Sequence, residues 1–148
     1  MNSDLFTSLF AYNQWANNTL ISKVGNIEPA RPMLRLLSHI MNAHAIWNAR
    51  LHNLRQPVGV WDEYALAGIE ELNARCHADT MELLKEVDLD NVYTYFDTSR
   101  SKHVRSVGDT MFHMVNHGMH HRGQISWLIR EAGYVPPGLD YIHYLRET

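Results

Sequence analysis

The chain is short of cysteine, of positive charge and of long apolar runs, and each shortage removes a class of explanation. Its one cysteine, Cys76, has no partner within the chain, so no internal disulfide forms and a reducing compartment is implied. Thirteen Lys and Arg stand against 16 Asp and Glu, a formal net charge of -3. That balance gives no basic field to attract a phosphate backbone, and DNA and RNA are not expected as partners. No run reaches the roughly 18 consecutive apolar residues of a membrane-spanning helix. The opening "MNSDLFTSLFAYNQWANN" lacks the basic start and unbroken apolar stretch of an export signal. The expected location is therefore the cytoplasm, away from membranes. Neither a glycine-rich phosphate loop nor a G-x-S-x-G elbow occurs. What remains is a 148-residue chain, expected as one domain over residues 1–148 and long enough to bury a core without covalent staples.

What is abundant is histidine, ten in all, set in a sequence of mostly helical period. Leu5, Leu9, Tyr12, Ala16 and Leu20 recur at three and four residues, marking one helix face up to Val24, which Gly25 and Asn26 close. Pro29 and Pro32 mark a turn. A second helix is expected from Met33 to Leu54, with Met33, Leu37, Ile40, Trp47, Leu51 and Leu54 inward, and Pro57 and Gly59 break it. After a loop, a third helix from Tyr64 to Val87 buries Leu66, Ile69, Leu72, Cys76, Leu83 and Leu84 and turns its carboxylates to solvent. "NVYTYFDTSRSKHVRS" is β-favouring around a polar turn and reads as a small hairpin. Ser106 and Asp109 then make a capping box that opens a fourth long helix, from Val107 to Gly133. "YVPPGLD" is a turn, and Tyr141 to Arg146 adds a short helix. The expected fold is all-α: a four-helix bundle with a long crossover connection and a small β-hairpin before the last long helix. Sites in such bundles are built from facing helices.

"MFHMVNHGMHHRGQ" puts His113, His117, His120 and His121 within about two and a half turns. His113, His117 and His121 form one drifting stripe. Neutral imidazole ligates zinc, nickel and iron, and an i, i+4 pair on a rigid helix holds two nitrogens in fixed geometry. Met111, Met114, Val115, Ile125, Leu128 and Ile129 set the apolar direction. His121 lies close to its edge and His117 somewhat further round, while His113 and His120 turn to solvent. His117 and His121 are the candidate pair, although such a pair alone also fits hydrogen-bonded surface histidines.

A third ligand would come from the second helix, which offers His39, His44 and His52. Periodicity favours His44, in the middle of the inner face. His39 lies toward one edge, but so does His117, and a site at the side of the bundle would use edge positions; the helical wheel leaves the two open. Trp15 and Trp47 read as core aromatics and Cys76 as a buried small hydrophobe. Arg122 turns partly toward the apolar side, where a guanidinium needs a carboxylate or carbonyl partner.

Three segments carry a family resemblance: "YNQWANNTL" in the first helix, "SHIMNAHAIWNARL" in the second and "HMVNHGMHHRGQISWLIREAG" in the fourth. They resemble the W-A-N, H-x-x-x-A-[DEH]-x-x-W and N-H-x-x-x-H-R-G-Q signatures of the DinB/YfiT-like proteins. These are metal-binding four-helix bundles unrelated to the DNA polymerase that shares the DinB name. The resemblance implies a histidine triad of His39, His117 and His121, with His44 at a position where relatives often carry an acid. His44 then becomes a core or supporting residue. The same run matches Arg122, Gly123 and Gln124, with Gly123 expected to allow close helix packing. Homodimers are common in the family, and one is expected here.

The family includes thiol-dependent S-transferases and isomerases that use low-molecular-weight thiols. The leading expectation is a divalent-metal protein acting as a metal-dependent enzyme, S-transferase-like or hydrolase-like, on a small-molecule substrate. Zn²⁺ or Ni²⁺ would sit on the triad with one coordination position open, where a metal lowers the pKa of bound water or thiol. No residue stands out as a general base; His113 and His120 are the candidates for carrying protons. The alternative is a non-enzymatic, metal-stabilised bundle serving as a stress-response or partner-binding module, which four protein ligands would favour because structural sites are closed. A third reading has no metal and uses the histidines as polar core residues.

Overall fold

The computed structural model describes residues 3–147. They form α1 Ser3–Gly25, α2 Arg31–Leu51, α3 Leu66–Glu86, β1 Val92–Phe96, β2 Lys102–Ser106, α4 Val107–Glu131 and α5 Tyr141–Glu147. Among the described residues no helix is long and apolar enough to cross a membrane.

Two apolar clusters set the helix directions. In one, Leu20 and Val24 near the end of α1 meet Met33 and Leu37 from the start of α2, Ile69 and Leu72 from the start of α3, and Ile125 and Ile129 from the end of α4. In the other, Phe6 and Phe10 from the start of α1 meet Leu83 and Leu84 from the end of α3 and Met111 and Val115 from the start of α4, with Trp47 and Leu51 packed against them. Thus α1 and α4 run one way and α2 and α3 the other. Parallel neighbours in sequence need a connection that returns the length of the bundle, about 30 Å for a helix of this size. Residues 52–65 supply it, and they are the expected crossover. Both α1 and α2 pack chiefly against α3 and α4, which leaves α1 and α2 on a diagonal.

Two helix assignments differ from the sequence expectation, each for a physical reason. The inner face of α1 keeps the expected Tyr12, Ala16 and Leu20 and adds Phe6, Phe10, Asn13, Asn17, Ile21 and Val24, while Leu5 is exposed; the two inward asparagines receive a buried arginine from α4. The second helix ends at Leu51 rather than Leu54. Asn53 adopts φ 55°, the Asn53 N–H bonds to the Arg50 carbonyl and the Leu54 N–H to the Ala49 carbonyl. These two bonds make a Schellman closure, with asparagine in the left-handed position it tolerates better than most residues. Leu54 falls outside the helix and is exposed.

The hairpin pairs Val92 with Ser106 through Phe96 with Lys102, antiparallel. Its turn is held by Asp97, whose Oδ1 accepts the N–H groups of Ser99 and Ser101. Ser106 then caps α4: its Oγ accepts the Asp109 N–H at 3.0 Å, as the Ser-x-x-Asp spacing predicts. The hairpin is thereby tied to the start of α4, and Tyr93 reinforces the joint with a 2.8 Å hydroxyl bond to Thr110.

Candidate metal centre

His39 is placed by the crossover. Residues 52–65 fold back over α2, where Asn42 donates to the Asp62 carbonyl at 2.8 Å and the Tyr64 N–H donates to Ser38 Oγ. That brings the Val60 carbonyl to 3.0 Å from His39 Nδ1. A carbonyl can only accept, so Nδ1 carries the proton and the Nε2 lone pair is left free. Trp61 stacks on the same imidazole, with ring centroids 3.9 Å apart and planes 10° from parallel, and the Arg35 guanidinium lies over that indole.

His117 and His121 come from successive turns of α4, and their Nε2 atoms face each other at 3.2 Å. His121 Nδ1 bonds to Gln124 Oε1 at 2.7 Å, so its ring too is turned with Nδ1 outward. One donor nitrogen from each of His39, His117 and His121 lies within 4.8 Å of the others, and the three histidines could hold a metal ion. Tetrahedral zinc with bonds of about 2.0–2.1 Å sets its nitrogens roughly 3.3 Å apart, close to the separation seen between His117 and His121. Imidazole binds metal only when neutral, and the surroundings favour that form. Burial, reinforced by the neighbouring imidazoles, holds His117 at about 3. Burial also lowers His39, against the opposing pull of the Val60 carbonyl. An outward Nδ1 bond to a carbonyl oxygen is the usual support for a metal-binding histidine. The donor set therefore fits a metal ion.

His44 stands elsewhere. Fully buried, its Nε2 bonds to Thr80 Oγ1 at 2.8 Å, and Thr80 in turn contacts Asn48 Oδ1 and the Cys76 carbonyl, each at 2.9 Å. The structure thus brings His39, and not His44, to the pair on α4. His113 and His120 are exposed; the His113 ring centroid lies 5.6 Å from that of His117. Cys76 is buried and its thiol is pushed up to about 12 by that burial, which excludes a thiolate nucleophile near neutral pH.

Arg122 is among the most deeply buried side chains. Its Nη1 donates to Asn13 Oδ1 at 2.7 Å and Asn17 Oδ1 at 2.8 Å, the carbonyl partners its position demands. The guanidinium also lies over the Tyr12 ring at 5.6 Å. The glycine that makes room for it is Gly118, where a Cβ would stand 2.9 Å from Arg122 Nη1. Gly123 is exposed with nothing near its missing Cβ, so the close packing expected there occurs five residues earlier.

A cavity of about 250 Å³ opens on the triad; His39 and His117 line it with Trp47, Arg50, Val60 and Tyr95. Trp47, expected in the core, is half-buried and forms part of this wall, edge-on to Tyr95 and His113. Sequence reasoning missed Trp61, the Val60 carbonyl and Tyr95 as neighbours of the site. No local signal could reveal them, since all three reach it through loop or hairpin geometry.

The Protein DinB of Bacillus subtilis (strain 168) is 25% identical over an alignment of 168 positions that covers 99% of this chain and 96% of that protein. The sequence pattern of the DinB family matches residues 1–148, the three long-range signatures and the histidine cluster falling within one continuous match. Family membership and the clustered triad fit a metal-binding protein. The chain belongs to the DinB family.

Proposed function

We propose that this protein is a divalent-metal enzyme of the S-transferase or hydrolase type, with His39, His117 and His121 as the three ligands of Zn²⁺ or Ni²⁺. The observation that carries the reading is the orientation of the rings. His39 and His121 are each held by an outward Nδ1 bond, and their inner nitrogens meet that of His117 beside an open cavity. Among the described residues no fourth His, Cys, Asp or Glu joins the cluster. Three protein ligands and an accessible position are the pattern of a catalytic rather than a closed structural site.

A divalent cation held there supplies Lewis acidity, bringing the pKa of a bound water or a low-molecular-weight thiol toward neutrality. The protein's own contribution is position and desolvation. Trp61 and the Val60 carbonyl fix the His39 ring, Gln124 fixes His121, and Trp47 with Tyr95 lines the cavity beside them. His113, exposed and with its ring 5.6 Å from that of His117, is the candidate for exchanging protons with solvent. A small-molecule electrophile in the cavity is the expected substrate.

The test is elemental analysis of untagged protein after exhaustive dialysis and after reconstitution. About one equivalent of metal per chain is expected; none, even after reconstitution, overturns the reading. Turnover of a model electrophile with and without added thiol then separates transferase from hydrolase.

A further inference from the structure

The cavity beside the triad has a second polar end. Counting from His39 along α2, Ala43, Ile46, Trp47 and Arg50 follow at +4, +7, +8 and +11, one stripe of a helix, and all five line the same cavity. Arg50 closes the stripe. Its guanidinium packs against Trp47, 4.4 Å from the ring centroid, and Tyr95, at 5.2 Å. One Nη2–H reaches the Phe96 carbonyl at a long 3.4 Å.

What Arg50 lacks is an ion-pair contact. Among the described residues the ion pairs are Arg31 and Arg35 with Glu63, Lys85 with Glu82, and His103 with Asp97; Arg50 has none. The carboxylate in its own cavity, Asp97, is already engaged. Its Oδ2 takes His103 Nε2 at 2.8 Å, and its Oδ1 takes two backbone N–H groups of the turn. A guanidinium stacked on aromatic faces keeps its in-plane donors available, and that fork matches the two oxygens of a carboxylate or phosphate.

We infer that Arg50 is the anion-recognition residue of this cavity, and that the substrate is a small molecule whose carboxylate or phosphate binds Arg50 while its reacting group lies at the histidine end. The inference rests on the metal-enzyme reading and names the substrate class of that site. Trp47 and Tyr95, which hold the guanidinium, select a slender connecting chain between the two groups.

The experiment uses metal-loaded protein whose metal content has first been measured, with affinities determined by calorimetry rather than by turnover. The probes are 3-mercaptopropionate, 2-mercaptoethyl phosphate and the uncharged 3-mercaptopropanol, at constant ionic strength. The wild type is expected to prefer at least one anionic thiol by about 10- to 100-fold, as a charge-assisted bidentate pair implies, and the tighter of the two identifies the oxyanion. In Arg50→Met, which keeps the aliphatic length between the two rings, the preference falls to near unity; Arg50→Lys keeps part of it. Equal affinities in the wild type, or a preference that survives in Arg50→Met, overturn the inference while the metal reading stands. A wild type that takes up no metal overturns both, and the prior metal measurement tells the two failures apart.

Discussion

His39 and His44 lie five residues apart on α2 and are both buried, yet their surroundings differ in one decisive way. The polar atoms around His44 answer one another: Nε2 to Thr80, Thr80 to Asn48 or Cys76, and Asn48 Nδ2 to the Cys76 carbonyl at 3.0 Å. Every bond in that circuit is to another protein group, and His44 enters it through Nε2. His39 spends its Nδ1 on Val60 and leaves its other nitrogen pointing at two further imidazoles. Lone pairs brought together in this way repel unless a proton, as in the His117–His121 hydrogen bond, or a cation lies among them. Burial alone does not distinguish a packing histidine from a candidate ligand; the other imidazoles gathered around it do.

The largest effect that sharpens this contrast is on metal affinity. Removing a group that only orients a ligand already costs about 10- to 100-fold, so His117→Ala and His39→Ala are each expected to lose more than about 100-fold in affinity, measured by competition with a chromophoric chelator. His44→Ala is expected to keep full stoichiometry. Loss of metal in His44→Ala with retention in His39→Ala would reverse the assignment of the two sites.

The stability ranking runs the other way. His44→Ala opens a void beside Phe10, whose ring centroid is 5.7 Å away, and takes from Thr80 its partner. A cost of about 2–4 kcal/mol is expected in urea unfolding of metal-free protein. His39→Ala, at the side of the bundle beneath an exposed tryptophan, is expected to cost less than His44→Ala under the same conditions. Equal losses would mean that the two positions are energetically alike and the contrast is only one of ligation.

How far the sequence foretold this can be read from the same residues. The helix periods, the hairpin and the Ser106 cap are local, and the residues that determine them lie within a turn or two of one another. The pairing of His117 with His121 is legible for that reason. The choice between His39 and His44 is not local: it depends on where a crossover loop lays the Val60 carbonyl and on how α2 is rotated against α4. By inner-face position alone His44 was favoured, and only the family resemblance pointed to His39, the one that lies with His117 and His121. The face of α1 was legible only in part, Tyr12, Ala16 and Leu20 being buried as expected and the asparagines not foreseen, for a related reason. Asn13 and Asn17 turn inward because Arg122, more than 100 residues away, needs their carbonyls. A helical wheel has no access to such a partner.

Gln124 offers a finer probe, because it touches His121 without being a ligand itself. Gln124→Leu removes the acceptor for His121 Nδ1 while preserving side-chain bulk. Metal affinity is expected to fall about 10-fold, the low end of the effect of losing an orienting partner, since His121 and Gln124 are partly solvated and water can replace the bond. An unchanged affinity would show that the Nδ1 bond does not hold the ring. A loss as large as that of His117→Ala would place Gln124 among the direct determinants of binding.

The smallest effect is carried by pH. Burial, with the nearby His77 adding to it, holds His44 at about 3, against about 6.5 in an unfolded chain. Between those values the unfolded state binds a proton at this position that the folded state refuses, so acidification favours unfolding. The stabilisation is whole above about pH 6.5 and is lost as pH falls toward 3, at no more than about 1.4 kcal/mol per pH unit. His44→Leu cannot take up that proton. In chelator-treated protein, the stability gap between wild type and His44→Leu is therefore expected to narrow on acidification, from neutral pH toward about pH 5, in favour of the variant. Contributions from sites remote from His44 cancel in the difference. Parallel stability curves across that range would show that the His44–Thr80 circuit admits a proton in the folded state, and that the closed network is less closed than its distances imply.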